Sequence, residues 1–328
     1  MLNKDLKLGE KIFAADIEML PTRDGFGHGT VEAGKLDKNV VVLCADLKES
    51  TRAEWFEKEF PDRFIEVGVA EQNMATVAAG MAAVGKRPFI ASYAAFSPGR
   101  NYEQIRTTIA LNRQPVVVCG MHAGVSVGPD GATHQMLEDI GMMRMLPGMN
   151  VLVPGDAEEA RKAVMAAAVS ENPSYIRFGR TATPLFTTPE TPFIIGKALP
   201  LWESAKPRVA ILTTGSLAYE ALLAARALAA DGIEVSVLHN PSVKPLDTQL
   251  ILEHAKRAGR VVTVEEHQAA GGFGSAVGEF LASTYPIPLQ RVGVQDAFGQ
   301  SGTPEELLAH YGLDAHGITA AVRRLLSA

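Results

Sequence analysis

Five side chains that could do chemistry together lie within one stretch of this 328-residue sequence. They are a carboxylate, two aromatic rings and two imidazoles: Glu71, Tyr93, Phe96, His122 and His134. A carboxylate beside flat aromatic faces suits a nitrogen heterocycle. Imidazoles that titrate near neutrality exchange protons with hydroxyl groups. The stretch therefore predicts a site for a heterocyclic cofactor and a hydroxylated substrate.

Each of these residues also has an ordinary structural interpretation. Glu71 begins a segment of small apolar residues, and an acid in a first helical turn is stabilised by about 0.3–1 kcal/mol through the helix dipole. Tyr93 and Phe96 could be core aromatics, although SYAAFSPG is typical of a loop. His122 and His134 enclose a glycine-rich loop, and their shared loop favours function over two unrelated structural histidines.

Two further motifs could bind phosphate, one through arginine side chains and one through a glycine-rich turn. Arg177 and Arg180, in YIRFGR, end a predicted strand, where they are either surface ion-pair partners or a clamp for phosphate oxygens. The segment GGFGS, residues 271–275, lacks both the Walker and the GxGxxG spacing. We interpret it as a glycine-rich turn that opens a helix.

Short apolar runs alternate with helical patterns along the chain. The predicted strands of the first half are Val40–Cys44, Phe64–Val67, Pro88–Ser92, Pro115–Cys119, Val151–Val153 and Tyr175–Phe178. The predicted helices between them are Gln72–Val84, Tyr102–Asn112, Met136–Met145 and Asp156–Val169. Strands that are apolar throughout are covered on both faces, and this alternation predicts an α/β fold with a doubly wound parallel sheet.

Proline interrupts this alternation between Thr181 and Pro207, a segment with five prolines that we predict to be an interdomain linker. A second α/β series follows, with strands predicted at Val209–Thr213, Glu234–Leu238, Val261–Val264 and Arg291–Val294. Its predicted helices are Leu217–Ala230, Thr248–Ala258 and one that starts at Ser275. We therefore expect two doubly wound domains, residues 1–190 and a smaller one over 191–328.

Polar and aromatic side chains follow several predicted strands directly. The carboxyl ends of parallel strands meet at one edge of the sheet, where ligands bind in open α/β folds. We therefore expect one site at this edge, built from Asp46, Glu71, Phe96, His122 and His134.

Composition narrows the classes of function. A net charge of −6 argues against nucleic acid or an anionic membrane as the main partner. No apolar run has the length of a membrane span, and the first twenty residues resemble no signal peptide, so we expect a cytoplasmic protein. The two cysteines, Cys44 and Cys119, end apolar runs and are expected to be reduced. No cysteine–histidine cluster has zinc spacing, and we predict no metal ligands in this chain.

Several segments resemble the C-terminal half of transketolases. They are CADLKES, GVAEQNM, GPDGATHQ, NPSVKPLD and VEEHQAAGGFGSAVGEF. The resemblance runs through nearly the whole chain. It implies a thiamine diphosphate-binding domain of the pyrimidine type, followed by the family's smaller C-terminal α/β domain.

The resemblance also implies roles for individual residues. Glu71 corresponds to the carboxylate that activates the cofactor through its N1′ nitrogen. Phe96, Tyr93 and Tyr102 match aromatics around the aminopyrimidine ring, and Asp46 lies near the cofactor. His122 and His134 would handle hydroxyl protons of the substrates. The substrate contacts implied are Asp130, Ser50 and, for a sugar phosphate, either Arg177 or Arg180.

One family motif is absent, because no GDG sequence occurs in this chain to bind magnesium and the diphosphate. The chain therefore resembles the second subunit of a split transketolase of the pentose phosphate type, which transfers a ketol unit between sugar phosphates. A partner chain with the GDG…N motif would bind Mg²⁺ and share the cofactor, in an expected α2β2 heterotetramer. His122 favours this over a deoxyxylulose-phosphate synthase-like activity, and the loop favours it over a 2-oxo-acid dehydrogenase β subunit. A non-catalytic paralogue and a plain sugar-phosphate-binding protein are also compatible with the fold.

Overall fold

Two β-sheets organise the chain, and the computed structural model describes all of residues 1–328. The strands of the first half are β1 (Met19–Pro21), β2 (Val40–Cys44), β3 (Phe64–Glu66), β4 (Arg87–Tyr93), β5 (Val117–Met121), β6 (Asn150–Leu152), β7 (Ser174–Arg177) and β8 (Ala182–Pro184). Those of the second half are β9 (Leu199–Trp202), β10 (Val209–Thr213), β11 (Val235–His239), β12 (Ser242–Lys244), β13 (Val261–Gln268) and β14 (Leu289–Val294).

Helices cover both sheets. Those of the first half are α1 (Thr22–Leu36), α2 (Lys48–Thr51), α3 (Ala53–Glu59), α4 (Glu71–Ala83), α5 (Tyr102–Gln104), α6 (Asp139–Arg144) and α7 (Ala157–Ala168). Those of the second half are α8 (Leu217–Ala230), α9 (Thr248–Ala258), α10 (Phe273–Thr284), α11 (Pro304–His310) and α12 (Ala315–Ser327). The predicted helix Tyr102–Asn112 is instead α5 running into a π-helix at Ile105–Ala110.

The first sheet has seven strands in the order β12-β6-β7-β5-β4-β2-β3. All pairs are parallel except the edge pair β12 with β6. Strands β2, β5, β6 and β7 are buried along their whole length, because helices cover both faces. The predicted doubly wound α/β architecture is confirmed, with one antiparallel strand added from the second half of the chain.

The second sheet has the order β14-β13-β10-β11-β9, parallel except for β9. The predicted linker Thr181–Pro207 was wrong in part, because it contains β8 and β9. Proline cannot donate to a strand ladder, so it is found mainly in edge strands and at the starts of strands. Pro184 lies in the two-stranded ribbon of β1 with β8, and Pro200 in the edge strand β9.

The N-terminal residues pack on the second half of the chain. The Asn3 amide donates to the Leu201 carbonyl at 3.0 Å, and Leu6 and Ile12 belong to the core around α8. The N-terminal residues thus pack in the second half, and β12 of the second half belongs to the first sheet, so the two halves of the chain are interleaved. We retain a division at residues 190 and 191 as a proposal.

Glycines let α1 approach its neighbours closely. A Cβ on Gly25 would lie 2.2 Å from the Ala157 carbonyl oxygen, and one on Gly29 would lie 2.7 Å from the Val164 Cβ. A Cβ on Gly27 would meet the Trp55 ring at 2.3 Å. The first turn of α1 lies at the carboxyl edge of the first sheet, where the Thr22 hydroxyl accepts the Gly179 amide, just after β7, at 2.7 Å. None of the helices is both long and apolar enough to span a bilayer.

Candidate active site

The Glu71 carboxylate is buried at the start of α4, with 1% of its surface exposed. Ser92, near the end of β4, donates its hydroxyl to Glu71 Oε1 at 3.1 Å. Asn101 donates its side-chain amide to the Glu71 carbonyl at 3.0 Å, which ties the loop after β4 to the helix start. An acid that only stabilises a helix dipole has no need of burial, so the surroundings favour a functional carboxylate.

Arg100 supplies the charge that balances Glu71. Its Nη1 donates to Glu71 Oε2 at 2.6 Å, while 45% of the arginine side chain stays exposed. The same guanidinium lies over the Phe96 ring, 4.7 Å from its centroid. The carboxylate and the aromatic face therefore border one small region at the protein surface. Sequence reasoning missed Arg100, since nothing in its spacing marks it.

The predicted aromatic and imidazole residues form one cluster. Tyr93 ends β4 and His122 follows β5, and their rings stack with centroids 4.2 Å apart. The Phe96 ring lies 6.0 Å from Tyr93 in a stacked arrangement and 5.5 Å from His134, edge to face. Neighbouring parallel strands that end together explain why residues far apart in sequence meet here.

His122 is buried and faces positive charge. Its Nε2 lies 3.1 Å from Arg23 Nη1 and 3.2 Å from the Ser50 carbonyl oxygen. Burial lowers the pKa of His122 to about 3, helped by the charges of Arg23 and Arg180. The imidazole is therefore neutral at physiological pH, and its buried Nδ1 has no partner within the chain. An orphaned polar atom of this kind indicates a ligand contact.

Arg23 is a second residue that sequence reasoning missed. It lies in the first turn of α1, where its Nη1 donates to the Ser50 carbonyl at 2.8 Å. Burial lowers its pKa, followed by the charge of Arg52. Arg52 is paired with Asp24 at 2.7 Å, whereas Arg23 has no ion-pair partner. The half-buried, uncompensated guanidinium beside His122 is suited to an anion.

The loop between the histidines carries Asp130 and meets Arg180. The Arg180 Nη1 donates to Asp130 Oδ2 at 3.1 Å and to the Val127 carbonyl at 3.3 Å. Both charged side chains are exposed. His134 is held by Thr133, whose Oγ1 lies 2.9 Å from Nδ1 of the imidazole. Asp130, His134 and Arg180 therefore border the same surface as the aromatic cluster.

Arg177 occupies a different environment. It is 7% exposed, and its Nε donates to Asp139 Oδ2 at 2.9 Å in a buried ion pair. Its Nη2 donates to the carbonyls of Glu266 at 2.8 Å and Met136 at 3.3 Å. All of these partners lie inside the protein. The Arg177 guanidinium is therefore already occupied and is not placed to bind a substrate phosphate. Of the two arginines in the motif, only Arg180 reaches the surface.

Three other predicted residues lie at the periphery. Ser50 meets Arg23 and His122 through its carbonyl oxygen, not through its hydroxyl. The Tyr102 hydroxyl donates to the Met142 carbonyl at 3.0 Å, and its ring makes no stacking contact with the cluster. Asp46 is exposed at the end of β2, with φ of 59°.

The glycine-rich segment of the second half serves a helix, as we predicted from its spacing. Glu265 accepts hydrogen bonds from the amides of Phe273 at 2.6 Å and Gly274 at 2.7 Å, the first residues of α10. A Cβ on Gly272 would lie 2.1 Å from Glu265 Oε2. The carboxylate therefore fills the helix terminus where a phosphate would otherwise bind.

The Glu71 carboxylate is reached from the surface through Arg100, which is 45% exposed. A cavity of about 720 Å³ lies between α6 and residues 267–271 and 296–298, and Glu71, His122 and His134 do not line it. No group of three or more histidine, cysteine, aspartate or glutamate side chains is arranged to hold a metal ion.

Two protein-family models match the chain. The model for the transketolase pyrimidine-binding domain matches residues 18–184, and that for the transketolase C-terminal domain matches residues 196–318. Every residue of the cluster described above falls in the first match.

Individual proteins agree with these families. A putative transketolase C-terminal section from Methanocaldococcus jannaschii is 41% identical, covering 92% of this chain and 94% of the relative. A subunit of an apulose-4-phosphate transketolase from Phocaeicola vulgatus is 36% identical, covering 92% and 96%. A solved structure described as a split-gene transketolase, an inactive β4 tetramer, has a TM-score of 0.88 at 44% identity, covering 94% of this chain and 99% of that one.

Proposed function

We propose that this chain, which belongs to the transketolase family, is one subunit of an enzyme that transfers a two-carbon ketol unit between sugar phosphates. The observation that carries the proposal is the buried Glu71 carboxylate, which Arg100 links to the Phe96 ring. The family depends on thiamine diphosphate, and a carboxylate next to an aromatic face suits the aminopyrimidine end of that cofactor.

The residues present fit that end of thiamine diphosphate. Glu71 would hold a ring nitrogen, and its burial strengthens such a hydrogen bond. Phe96 would stack on the ring, with Tyr93, Tyr102 and Asp46 as further proposed contacts. Bound thiamine diphosphate supplies the electron sink for the carbon–carbon bond that breaks and forms.

The histidines would contact the hydroxyl groups of the substrates, and His122 would do so as a neutral imidazole because its pKa is about 3. His122 Nε2 lies between a donor, Arg23 Nη1, and an acceptor, the Ser50 carbonyl oxygen, so these two contacts are compatible with either ring tautomer. The unpartnered Nδ1 would share a hydrogen bond with a substrate hydroxyl group, which can donate or accept. His134 lies 5.5 Å from Phe96, ring to ring, and would act on the other side of the same region, with Asp130 orienting a hydroxyl.

The anionic end of the substrate would lie among the arginines. Arg23 has no carboxylate partner, and Arg180 is exposed beside Asp130. Guanidinium groups bind phosphate oxygens through paired hydrogen bonds. We therefore assign the sugar phosphate to Arg180 and Arg23, with Ser50 next to them, and we exclude Arg177 from this role because it is buried.

A partner chain would complete the site. The isolated chain has no cluster of carboxylates for Mg²⁺, and Glu71 lies beside an open surface. We propose a separate subunit with the GDG…N motif that binds the magnesium and the diphosphate, in an α2β2 assembly. The relative described as an inactive β4 tetramer supports the view that chains of this kind are inactive alone.

Reconstitution tests the proposal. Titration calorimetry with thiamine diphosphate and Mg²⁺ should detect weak or no binding to the isolated chain, and tight binding once a GDG-containing partner is added. Ketol transfer from a ketose phosphate should appear only in the mixture. Tight binding to the isolated chain would refute the split-site proposal. Turnover of pyruvate in place of a ketose phosphate would favour a deoxyxylulose-phosphate synthase-like activity.

A further inference from the structure

Glu266 belongs to the second sheet, yet its side chain reaches the loop between the two histidines. It lies in β13 and is buried. Its Oε1 accepts a hydrogen bond from the Ser126 amide at 2.7 Å. Ser126 is in the single turn of 3-10 helix, Val125–Val127, in the middle of that loop. A charged acceptor of a second domain therefore holds the backbone of the loop directly.

The approach of Glu266 to the loop requires a glycine. Gly124 has φ of 91°, and a Cβ at that position would lie 2.3 Å from both Glu266 Cδ and Oε1. Neither the backbone conformation nor the space suits another residue. The loop sequence is thus shaped around this carboxylate.

Arg177 explains how a carboxylate is tolerated in this interior. Burial raises the pKa of Glu266, and the positive charge of Arg177 opposes that effect. Arg177 also donates to the Glu266 carbonyl, and its Nε is bound to Asp139. The arginine that sequence reasoning considered for substrate therefore supports the residue that holds the loop.

The backbone of the loop also contacts the residues proposed to bind the substrate phosphate. Thr181 donates its hydroxyl to the Ser126 carbonyl at 2.6 Å. Arg180 donates to the carbonyl of the next residue, Val127, and to Asp130. A shift of Ser126 would therefore move the carbonyl that orients Arg180, whereas the Glu71 carboxylate would stay where it is.

We infer that Glu266 is a positioning residue, through which the second domain sets the place of Arg180 and Asp130 and so the affinity for the phosphate of the substrate. This inference rests on the proposed function for the identity of the substrate. The hydrogen bond itself is independent of it.

Glu265 provides a matched control. It is the preceding residue of β13, is fully buried, and also accepts backbone amides, but those amides belong to α10 of its own domain. Glu265→Ala and Glu266→Ala thus remove equivalent groups, and only the second removes a contact to the loop. Glu266→Gln keeps an oxygen acceptor for Ser126 and should restore most of the behaviour lost in Glu266→Ala.

Amide hydrogen exchange in the isolated full-length chain tests the contact. Exchange over residues 124–131 should be about tenfold or more faster in Glu266→Ala than in the wild type, and unchanged in Glu265→Ala. Added inorganic phosphate should protect the loop in the wild type and in Glu265→Ala, but not in Glu266→Ala. Equal exchange in the two alanine variants would overturn the inference, as would phosphate protection that survives in Glu266→Ala.

Kinetics of the reconstituted enzyme test whether Glu266 affects the affinity for the substrate phosphate. Glu266→Ala should raise KM for a ketose phosphate by about tenfold or more, with KM for hydroxypyruvate and the affinity for thiamine diphosphate within about twofold of the wild type. A purely structural residue would change all three alike, and that result would overturn the positioning role. Failure of the wild type to transfer a ketol unit would refute the proposed function instead, while the exchange and phosphate measurements would still decide the inference.

Discussion

Arg100 and Glu71 form an ion pair at the opening of the site, with Arg100 Nη1 2.6 Å from Glu71 Oε2. The pair is unequal, because the carboxylate is buried and the guanidinium is 45% exposed. The arginine therefore neutralises an interior charge from the surface, next to the Phe96 face. The remaining hydrogen bond to the carboxylate comes from the Ser92 hydroxyl, which carries no charge.

Removal of Arg100 should destabilise the isolated chain. Arg100→Ala leaves a buried carboxylate without a charged partner, and we expect the free energy of unfolding to fall by about 1–3 kcal/mol. Arg100→Lys keeps the charge and should lose less. Urea unfolding of the three proteins measures the difference. Unchanged stability in Arg100→Ala would mean that Ser92 and solvent satisfy Glu71 by themselves.

Replacement of Glu71 tests the proposed cofactor contact. Glu71→Gln keeps the shape of the side chain but loses its charge, so the reconstituted enzyme should assemble and lose about 10²-fold or more of its turnover. Size-exclusion chromatography checks the assembly, and a ketol-transfer assay checks the rate. Turnover close to that of the wild type would contradict the cofactor contact and leave Glu71 with a structural role at the start of α4.

Arg180 should determine the preference for phosphorylated substrates. Arg180→Ala removes a charge-assisted contact of about 1.5–3 kcal/mol, so KM for a ketose phosphate should rise about 10- to 150-fold. KM for hydroxypyruvate, which has no phosphate, should change little. Equal increases for the two substrates would point to a structural role. No increase for either would move the phosphate to Arg23 and Ser50.

Replacement of Arg177 should lower the stability of the protein and should not selectively weaken the binding of phosphorylated substrates. Arg177→Ala leaves Asp139 buried without a charged partner, and such losses cost about 3–5 kcal/mol of unfolding free energy. Chemical denaturation measures this loss directly. A stable Arg177→Ala protein with a selective defect for phosphorylated sugars would contradict the burial of this residue.

His122 should make stability depend on pH. Its pKa falls from the ordinary 6.5 to about 3 through burial and the charge of Arg23. The unfolded chain therefore takes up a proton near pH 6.5 while the folded chain does not, so the stabilisation is complete above pH 6.5 and is lost progressively toward pH 3. His122→Gln removes this titration.

Unfolding free energies between about pH 7 and pH 4 test this directly. We expect a steeper fall in the wild type than in His122→Gln, since all other titrating groups are common to both proteins. Arg23→Gln should lie between them, because it removes one of the charges that lower the pKa of His122. Parallel curves for the wild type and His122→Gln would contradict the neutral, buried imidazole.

The helix α1 shows what a single sequence could not indicate. Its glycines lower helix propensity by about 1 kcal/mol each relative to alanine, so the local pattern predicts no helix there. In the structure the same glycines are needed because Ala157, Val164 and the Trp55 ring lie against them. Arg23 was missed for the same reason, since only this packing brings it to His122.

The two arginines of YIRFGR show a second limit. They are close together in one motif, and the chemistry of their side chains is identical. Arg177 is buried because Asp139 and Glu266 of other elements cover it, whereas Arg180 stays exposed. Local sequence carries no information about such covering groups.

The α/β alternation and the gathering of Phe96, His122 and His134 around Tyr93 could be predicted from the residues alone, because strands in a parallel sheet end at a common edge. The positions of the strand ends can be predicted from local hydrophobic patterns, which each strand carries in its own residues. The pairing of Arg100 with Glu71, and the reach of Glu266 to Ser126 from 140 residues away, emerged only from the folded chain. Contacts of this kind depend on how separate elements pack, and side-chain packing over long separations leaves no pattern in a single sequence.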